Sequence, residues 1–315
     1  GGSYQSTVAK LLQSLAEPFD VHREAYDRQW QRTVINPKYD FSNHTSDGGS
    51  MYRLSRCILL AHEDKMFQGA LVASMSIPWG ETKDDKDLGG YHLVWTRDLV
   101  QSATALLATG QTGTPLRALI WLAAIQLPDG RFPQNSWING QAYWCGVQLD
   151  EVAAPILLAW RLHSEGVTLG RFDPSVMIFR SAAFLIRHGP VTAQDPWEES
   201  AGFSPSSLAT VITSLVCPAE FARQCHETGT AEFILEYADW LAAHIEEWTV
   251  TTCGELVEGF RRHYIRINPT DLHTPGPRAD PNTTILAVAN GGGLHPARNI
   301  VGGDFLHLVR LGIRA

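Results

Sequence analysis

The 315-residue chain is 44% hydrophobic, 10% aromatic and 18% charged, values that exclude both a disordered tail and a minimal scaffold. Twenty-five Lys and Arg against 33 Asp and Glu give a formal charge of −8, and the basic residues are scattered. That pattern excludes the charged footprint of a nucleic-acid or anionic-lipid binder and favours a neutral ligand. No apolar run approaches the roughly 18 residues of a membrane span, so no membrane partner is expected. The five cysteines form no Cys-x-x-Cys pair, and an odd number cannot pair wholly within one chain; they read as buried free thiols. Ten tryptophans are the one compositional excess.

Apolar residues recur at helical spacing in residues 6–15 (Val8, Leu11, Leu12, Leu15) and again in 51–60 (Leu54, Cys57, Ile58). Residues 97–109 carry Val100, Ala103 and Leu107, and 115–126 carry Leu119, Leu122 and Ala123. In 149–163 and 173–188 the apolar residues run almost all round, as in helices covered on two sides. Asp173-Pro174 and Ser204-Pro205 each offer a capping side chain followed by proline at the first helical position, the second opening a helix over 208–222. A further helix is predicted over 230–245. From 249 to 290 the pattern becomes alternating and β-branched, in 264–267 and 284–288, with Asn268-Pro269, Pro275-Gly276 and Gly291-Gly292-Gly293 as turns. A last helix is predicted over 301–311.

About ten helices with one extended excursion do not alternate with strands as a parallel α/β fold requires. The expected class is therefore all-α, as a toroid or solenoid of helical hairpins, and no fixed-period repeat marks a regular superhelix.

Three loop-to-helix junctions are dense in polar and aromatic residues. The first runs from Gly89 through Tyr91, Trp95, Arg97 and Asp98. An Arg fork beside a carboxylate can donate to and accept from neighbouring sugar hydroxyls, while Trp and Tyr offer flat faces to C–H groups; the same residues also read as a helix cap with packed aromatics. The second, 134–151, mixes amides with Trp137, Tyr143 and Trp144 before Gln148, Asp150 and Glu151. It suits a polyhydroxyl ligand and equally suits packing plugs. The third, 195–205, holds Trp197-Glu198-Glu199. Adjacent carboxylates can raise one another's pKa into the range of a general acid, or simply compensate a helix dipole. No zinc or calcium motif is present, and Gly291-Gly292-Gly293 lacks the Lys-Ser/Thr of a phosphate loop, so no metal or other cofactor is expected.

Taken in order, His62-Glu63-Asp64-Lys65, Pro78-Trp79-Gly80-Glu81, Gly89 to Asp98, Pro133-Gln134-Asn135, Tyr143-Trp144, Gln148-Leu149-Asp150-Glu151 and Trp197-Glu198-Glu199 resemble the inverting glucoamylase and glucodextranase family of glycoside hydrolases, in its bacterial branch. The resemblance runs from about residue 50 to the end of the chain, with Asn290 to Gly293 and 305–310 extending it. It implies an (α/α)6 toroid of six helical hairpins, here incomplete at about two-thirds of the barrel, with a small β excursion. Residues 1–50 would be linker helices and 51–315 the N-terminal part of the catalytic domain.

By the same resemblance Glu198 is the general acid and Glu199 binds hydroxyls on the leaving-group side. Arg97 and Asp98 hold the terminal glucose, Tyr91 and Trp95 wall its subsite, and Trp144 braces the acid and contacts substrate. Gln148 and Asp150 follow at the family spacing, and Trp197 adjoins the acid. An inverting hydrolase also needs a second carboxylate roughly 6.5–9.5 Å from the acid to activate water. The resemblance puts that base in a late loop of the barrel; no motif after Glu258 matches it, and Asp271, Asp280 and Asp304 read as turns or helix starts. The expected activity is exo-acting hydrolysis of terminal non-reducing glucose from an α-glucan oligo- or polysaccharide, in a chain truncated before its base. The alternatives are an inverting α-glucoside phosphorylase on a similar barrel and an inactive glucan-binding fragment.

Overall fold

The computed structural model describes residues 4–34, 40, 42–75, 92–270, 279–289 and 292–315. Tyr91, Pro78-Trp79-Gly80-Glu81, Asp271, Pro275-Gly276 and Asn290-Gly291 lie outside the described residues.

Helices α1 (Tyr4–Ala16), α2 (Phe19–Val34) and α3 (Ser50–Ala61) come first. Strand β1 (Val94–Trp95) runs directly into α4 (Thr96–Ala108), and α5 (Gly113–Ile125) returns. The hairpin β2 (Asn135–Ser136) and β3 (Ala142–Trp144) precedes α6 (Leu149–Ser164) and α7 (Ser175–His188). Strand β4 (Gly202–Phe203) precedes α8 (Pro205–Gln224) and α9 (Thr228–Thr249). The excursion holds β5 (Val250–Thr251), β6 (His263–Tyr264), β7 (Asn268–Pro269), β8 (Ile285–Val288) and β9 (Gly293–Pro296), before α10 (His307–Arg310).

Helices α4, α6 and α8 form an inner row, α4 against α6 and α6 against α8. Helices α5, α7 and α9 lie outside, each touching the inner helix before it, and α5 and α7 also the one after. Burial explains the order: α6 and α8 are apolar nearly all round and bury residues on every face, whereas α1 buries none. One continuous core runs from Leu60 to Leu308, and a small second cluster of Ile265, Ile267, Leu286 and Ala297 sits under the excursion.

The inner helices stop in one way. Gly110 (φ 86) and Gly166 (φ 67) take the left-handed conformation just past α4 and α6. The next N–H groups, of Gln111 and Val167, return to the carbonyls of Leu106 and Leu162, which reverses the chain into the outer helix. His226 (φ 63) does the same after α8, Glu227 N–H donating to the Ala222 carbonyl. At the other end of α8, Ser204 accepts from the Ser207 N–H at 3.3 Å with Pro205 in the first position, as expected from sequence.

Three expectations are corrected. Asn268-Pro269 is not a turn: it forms β7, antiparallel to β4 in the register Gly202↔Pro269 and Phe203↔Asn268. The helix predicted over 301–311 is a 3-10 turn (Gly303–Leu306) followed by the short α10. The cysteines are free, but only Cys217 is buried, its thiol pushed up to about 12 by that burial, and Cys145, Cys225 and Cys253 are exposed.

Candidate active site

The N-terminal ends of α4, α6 and α8 meet, and short strands tie their leading loops together. Trp95, the residue before α4, pairs with Asn135 of β2, which pairs in turn with Trp144 of β3. Thr192 accepts from the Leu149 N–H that opens α6, at 3.2 Å, and Gln194 N–H donates to the Val147 carbonyl at 3.1 Å. Three segments far apart in sequence thus share one mouth.

Glu198 sits at its centre, with its backbone in the left-handed region at φ 64. Trp95 Nε1–H donates to Glu198 Oε1 at 2.6 Å, and Gln148 Nε2–H to the same oxygen at 3.3 Å. The Oε1 of Gln148 accepts from Arg97, whose Nη1 also lies 3.1 Å from Asp150 Oδ2 and 3.8 Å from Glu151 Oε1. Burial alone would lower the Arg97 pKa; Asp150, Glu151 and Asp98 more than offset it and hold the guanidinium charged. Asp98 lies 3.9 Å from Arg97 Nε with its side chain 51% exposed. Burial pushes its carboxyl above the usual range, Arg97 opposes this, and Glu198 and Asp150 add to the rise.

Gln148 and Asp150 are 1% and 4% exposed, so their contacts are with Arg97 and Glu198 rather than with solvent. Trp144 is 39% exposed and meets Trp95 edge-on at 6.3 Å. This first network gathers Trp95, Arg97, Asp98, Trp144, Gln148, Asp150 and Glu198.

Glu199 belongs to a second network. Its Oε2 accepts from Arg266 Nη2 at 2.5 Å, and Arg266 Nε donates to Asp195 Oδ2 at 2.9 Å. Asp195 is fully buried, and its Oδ1 accepts from the N–H groups of Glu199 and Ser200 at 3.0 and 3.2 Å. Trp197 is 57% exposed, with the Arg266 guanidinium 5.8 Å from its ring centroid. The adjacent carboxylates expected to perturb each other are therefore parted, Glu198 toward α4 and α6, Glu199 toward the excursion.

Sequence reasoning gave no role to Arg266, Asp195 or Glu151. The signal for Arg266 was present: in Tyr264-Ile265-Arg266-Ile267 the alternation leaves a charged residue between two buried isoleucines. Glu151 is 1% exposed, and among the described residues neither of its carboxyl oxygens has a hydrogen-bond partner; burial pushes it well above the usual carboxylate range, toward its neutral form. His62, read as a structural hydrogen-bonder, bonds through Nδ1 to the Ile58 carbonyl at 2.7 Å. Among the described residues no group of three or more His, Cys, Asp or Glu is placed to hold a metal ion.

Residues 50–119 and 127–312 match the family described as Glycosyl hydrolases family 15. The chain is 38% identical over 316 aligned positions to a glucoamylase of Clostridium sp. (strain G0005), covering 100% of this chain and 42% of that protein. It is similar to the crystal structure of a bacterial glucoamylase complexed with acarbose, with 36% identity and a TM-score of 0.84 over 100% of this chain and 44% of that one. A further solved structure, described as a glycosidase, shares the fold at 16% identity and a TM-score of 0.50, over 68% of this chain and 58% of that one. The chain thus spans less than half the length of its two glucoamylase relatives, and its helical hairpins are arranged as in the (α/α)6 toroid of the bacterial enzyme.

Proposed function

The chain belongs to glycosyl hydrolases family 15, and from that membership we propose that it carries the acid side of the active site of an exo-acting, inverting α-glucosidase of glucoamylase and glucodextranase type. Its substrate is the non-reducing end of an α-glucan oligo- or polysaccharide, from which glucose is released. Residues 51–315 form part of the catalytic toroid and residues 1–50 are helices leading into it. The family match that starts at residue 50 and the unburied α1 support that division.

The observation that carries the reading is the hold on Glu198. Two N–H donors, from Trp95 and Gln148, converge on its Oε1. A carboxylic acid held this way presents its proton on Oε2, aimed by a fixed side chain. Glu198 protonates the glycosidic oxygen, the C–O bond breaks, and water attacks the opposite face of the sugar. The base that activates this water is assigned to no residue of this chain.

Arg97 and Asp98 grip neighbouring hydroxyls of the terminal glucose, the first donating and the second accepting. Gln148 and Asp150 act by holding Arg97. Trp95 and Trp144 form the wall, and Tyr91 joins it on the strength of its motif. Glu199, Arg266 and Trp197 take the leaving-group sugar, which the Glu199–Arg266 pair can meet with both acceptors and donors.

Acarbose, the ligand held by the bacterial relative, is the probe. Calorimetric titration of the 315-residue chain should show it binding, and glucose should be released from maltose-type oligosaccharides by a longer version of the protein that also supplies the base. Glu198→Gln should keep acarbose affinity within a few-fold and lose about 10²–10⁴ in rate. Unimpaired hydrolysis by Glu198→Gln in that longer version sinks the assignment of the acid; acarbose binding with no release by that version identifies a glucan-binding module instead.

A further inference from the structure

Beneath the mouth, a crevice of about 50 Å³ runs down between the inner helices, bounded by Thr104 of α4, Arg161 of α6, Thr210 of α8, and His307 and Arg310 of α10. Arg97 and Asp150 close its upper end, already bound to each other. The lower end is different. Arg161 is half-buried, and its guanidinium makes neither a hydrogen bond nor an ion pair with any described residue. Among the described residues the Arg310 guanidinium bonds only to His307, donating from Nη1 to Nε2 at 3.4 Å. That contact and the 3.0 Å approach of His307 Nδ1 to Ser206 Oγ hold the imidazole neutral, its Nδ1–H donated to the serine.

Among the described residues no carboxylate lies within ion-pair distance of either guanidinium. Asp150 is held by Arg97, and Asp304 faces His307. Burial and Arg310 together lower Arg161, and burial, then Arg310, lower His307: the crevice is electropositive, partly buried at Arg161 and His307 and open to solvent at Arg310. The Thr210 hydroxyl is donated to the Ser206 carbonyl at 3.1 Å, and the partly buried Thr104 lines the same crevice.

Two guanidinium groups lining one crevice suit an oxyanion better than a neutral sugar, and the crevice between them is sized for a small one. We propose that this crevice is a binding site for one small oxyanion, phosphate or carboxylate, clamped between Arg161 and Arg310 and completed by Thr104. The site lies beneath the sugar-binding mouth, with Arg97 and Asp150 as the boundary between them, and it stands or falls independently of the assignment of Glu198.

The test is thermal unfolding of the 315-residue chain at constant ionic strength, with inorganic phosphate and then acetate replacing chloride. The melting temperature should rise saturably with phosphate, as mass action on the folded state requires, and chloride should not raise it. Arg161→Met and Arg310→Met should each weaken the apparent phosphate affinity at least tenfold. In oxyanion-free buffer they should leave the melting temperature unchanged or raise it, because each removes an uncompensated charge. If Arg161→Met does not fold, Arg161→Lys should fold and show an intermediate shift. A matching acetate response supports the site and points to a carboxylate, such as an acidic side chain of another protein segment, as its occupant; a phosphate-only response supports it as an inorganic oxyanion site. An equal response to chloride, or a full phosphate response in both variants, overturns it.

Discussion

Trp95 was singled out in sequence for its flat face, yet the structure uses its edge. The indole is 5% exposed, and its N–H reaches a carboxylate 103 residues away. Trp95→Phe keeps the packing against Trp144 and deletes the donor. A hydrogen bond to a charged group is worth about 1.5–3 kcal/mol, so kcat should fall by roughly 10–100-fold with KM little changed, because Arg97 and Asp98 keep their hold on the sugar. Steady-state kinetics on a maltose-type oligosaccharide checks this; a loss confined to KM would make Trp95 a binding wall alone. The motif residues Trp95, Arg97, Asp98 and Glu198 were legible because each stands in a dense local run of chemistry. Arg266 was not, since nothing near it in the chain reveals that its partners, Asp195 and Glu199, lie 71 and 67 residues away.

Among the elements, the inner helices show where local rules hold and where burial overrides them. Ser204-Pro205 opens α8 as its residue types require. By contrast α6 and α8 run through Pro155 and Pro218, each of which would break an exposed helix; nearly complete burial of these helices outweighs the lost hydrogen bond. The end of α8 carries strain that α4 and α6 avoid, because His226 stands where they have Gly110 and Gly166. Left-handed backbone costs a β-carbon-bearing residue about 1–3 kcal/mol, part of which glycine returns as unfolded-state entropy. His226→Gly should therefore stabilise the chain by about 0.5–1 kcal/mol, read as a higher urea midpoint at unchanged slope. A lower midpoint would mean that the His226 side chain contributes contacts worth more than the strain.

At the scale of the whole molecule, α9 is fastened to the end of the chain through Glu246. Its carboxylate accepts from Arg314 Nε at 2.7 Å and Nη2 at 2.9 Å and from the Tyr264 hydroxyl at 2.6 Å. The hydrogen bonds from Arg314, against an opposing effect of burial, lower Glu246 from 4.5 to about 2. A carboxyl lowered in the folded state contributes stability that is present above its unfolded value of 4.5 and is lost as pH falls toward about 2. Because Glu246 is only partly buried, solvent screens much of that contribution. Denaturation midpoints measured down this range should fall less steeply for Glu246→Gln than for the unaltered chain, and equal slopes would show that the clasp carries no stability.

The sequence by itself determined the helical class, the N-terminal cap of α8, the order of the chemical motifs and their likeness to one family. All of these depend on residues close together in the chain, where periodicity and capping act. Only the tertiary structure decided which atoms meet. It set Glu198 against Trp95 and Gln148, parted it from Glu199, turned Asn268-Pro269 into a strand beside Gly202-Phe203, and left Arg161 and Arg310 facing one crevice. Those outcomes depend on which helix ends converge, and that is set by how three apolar inner helices bury one another across a core that no short stretch of sequence contains.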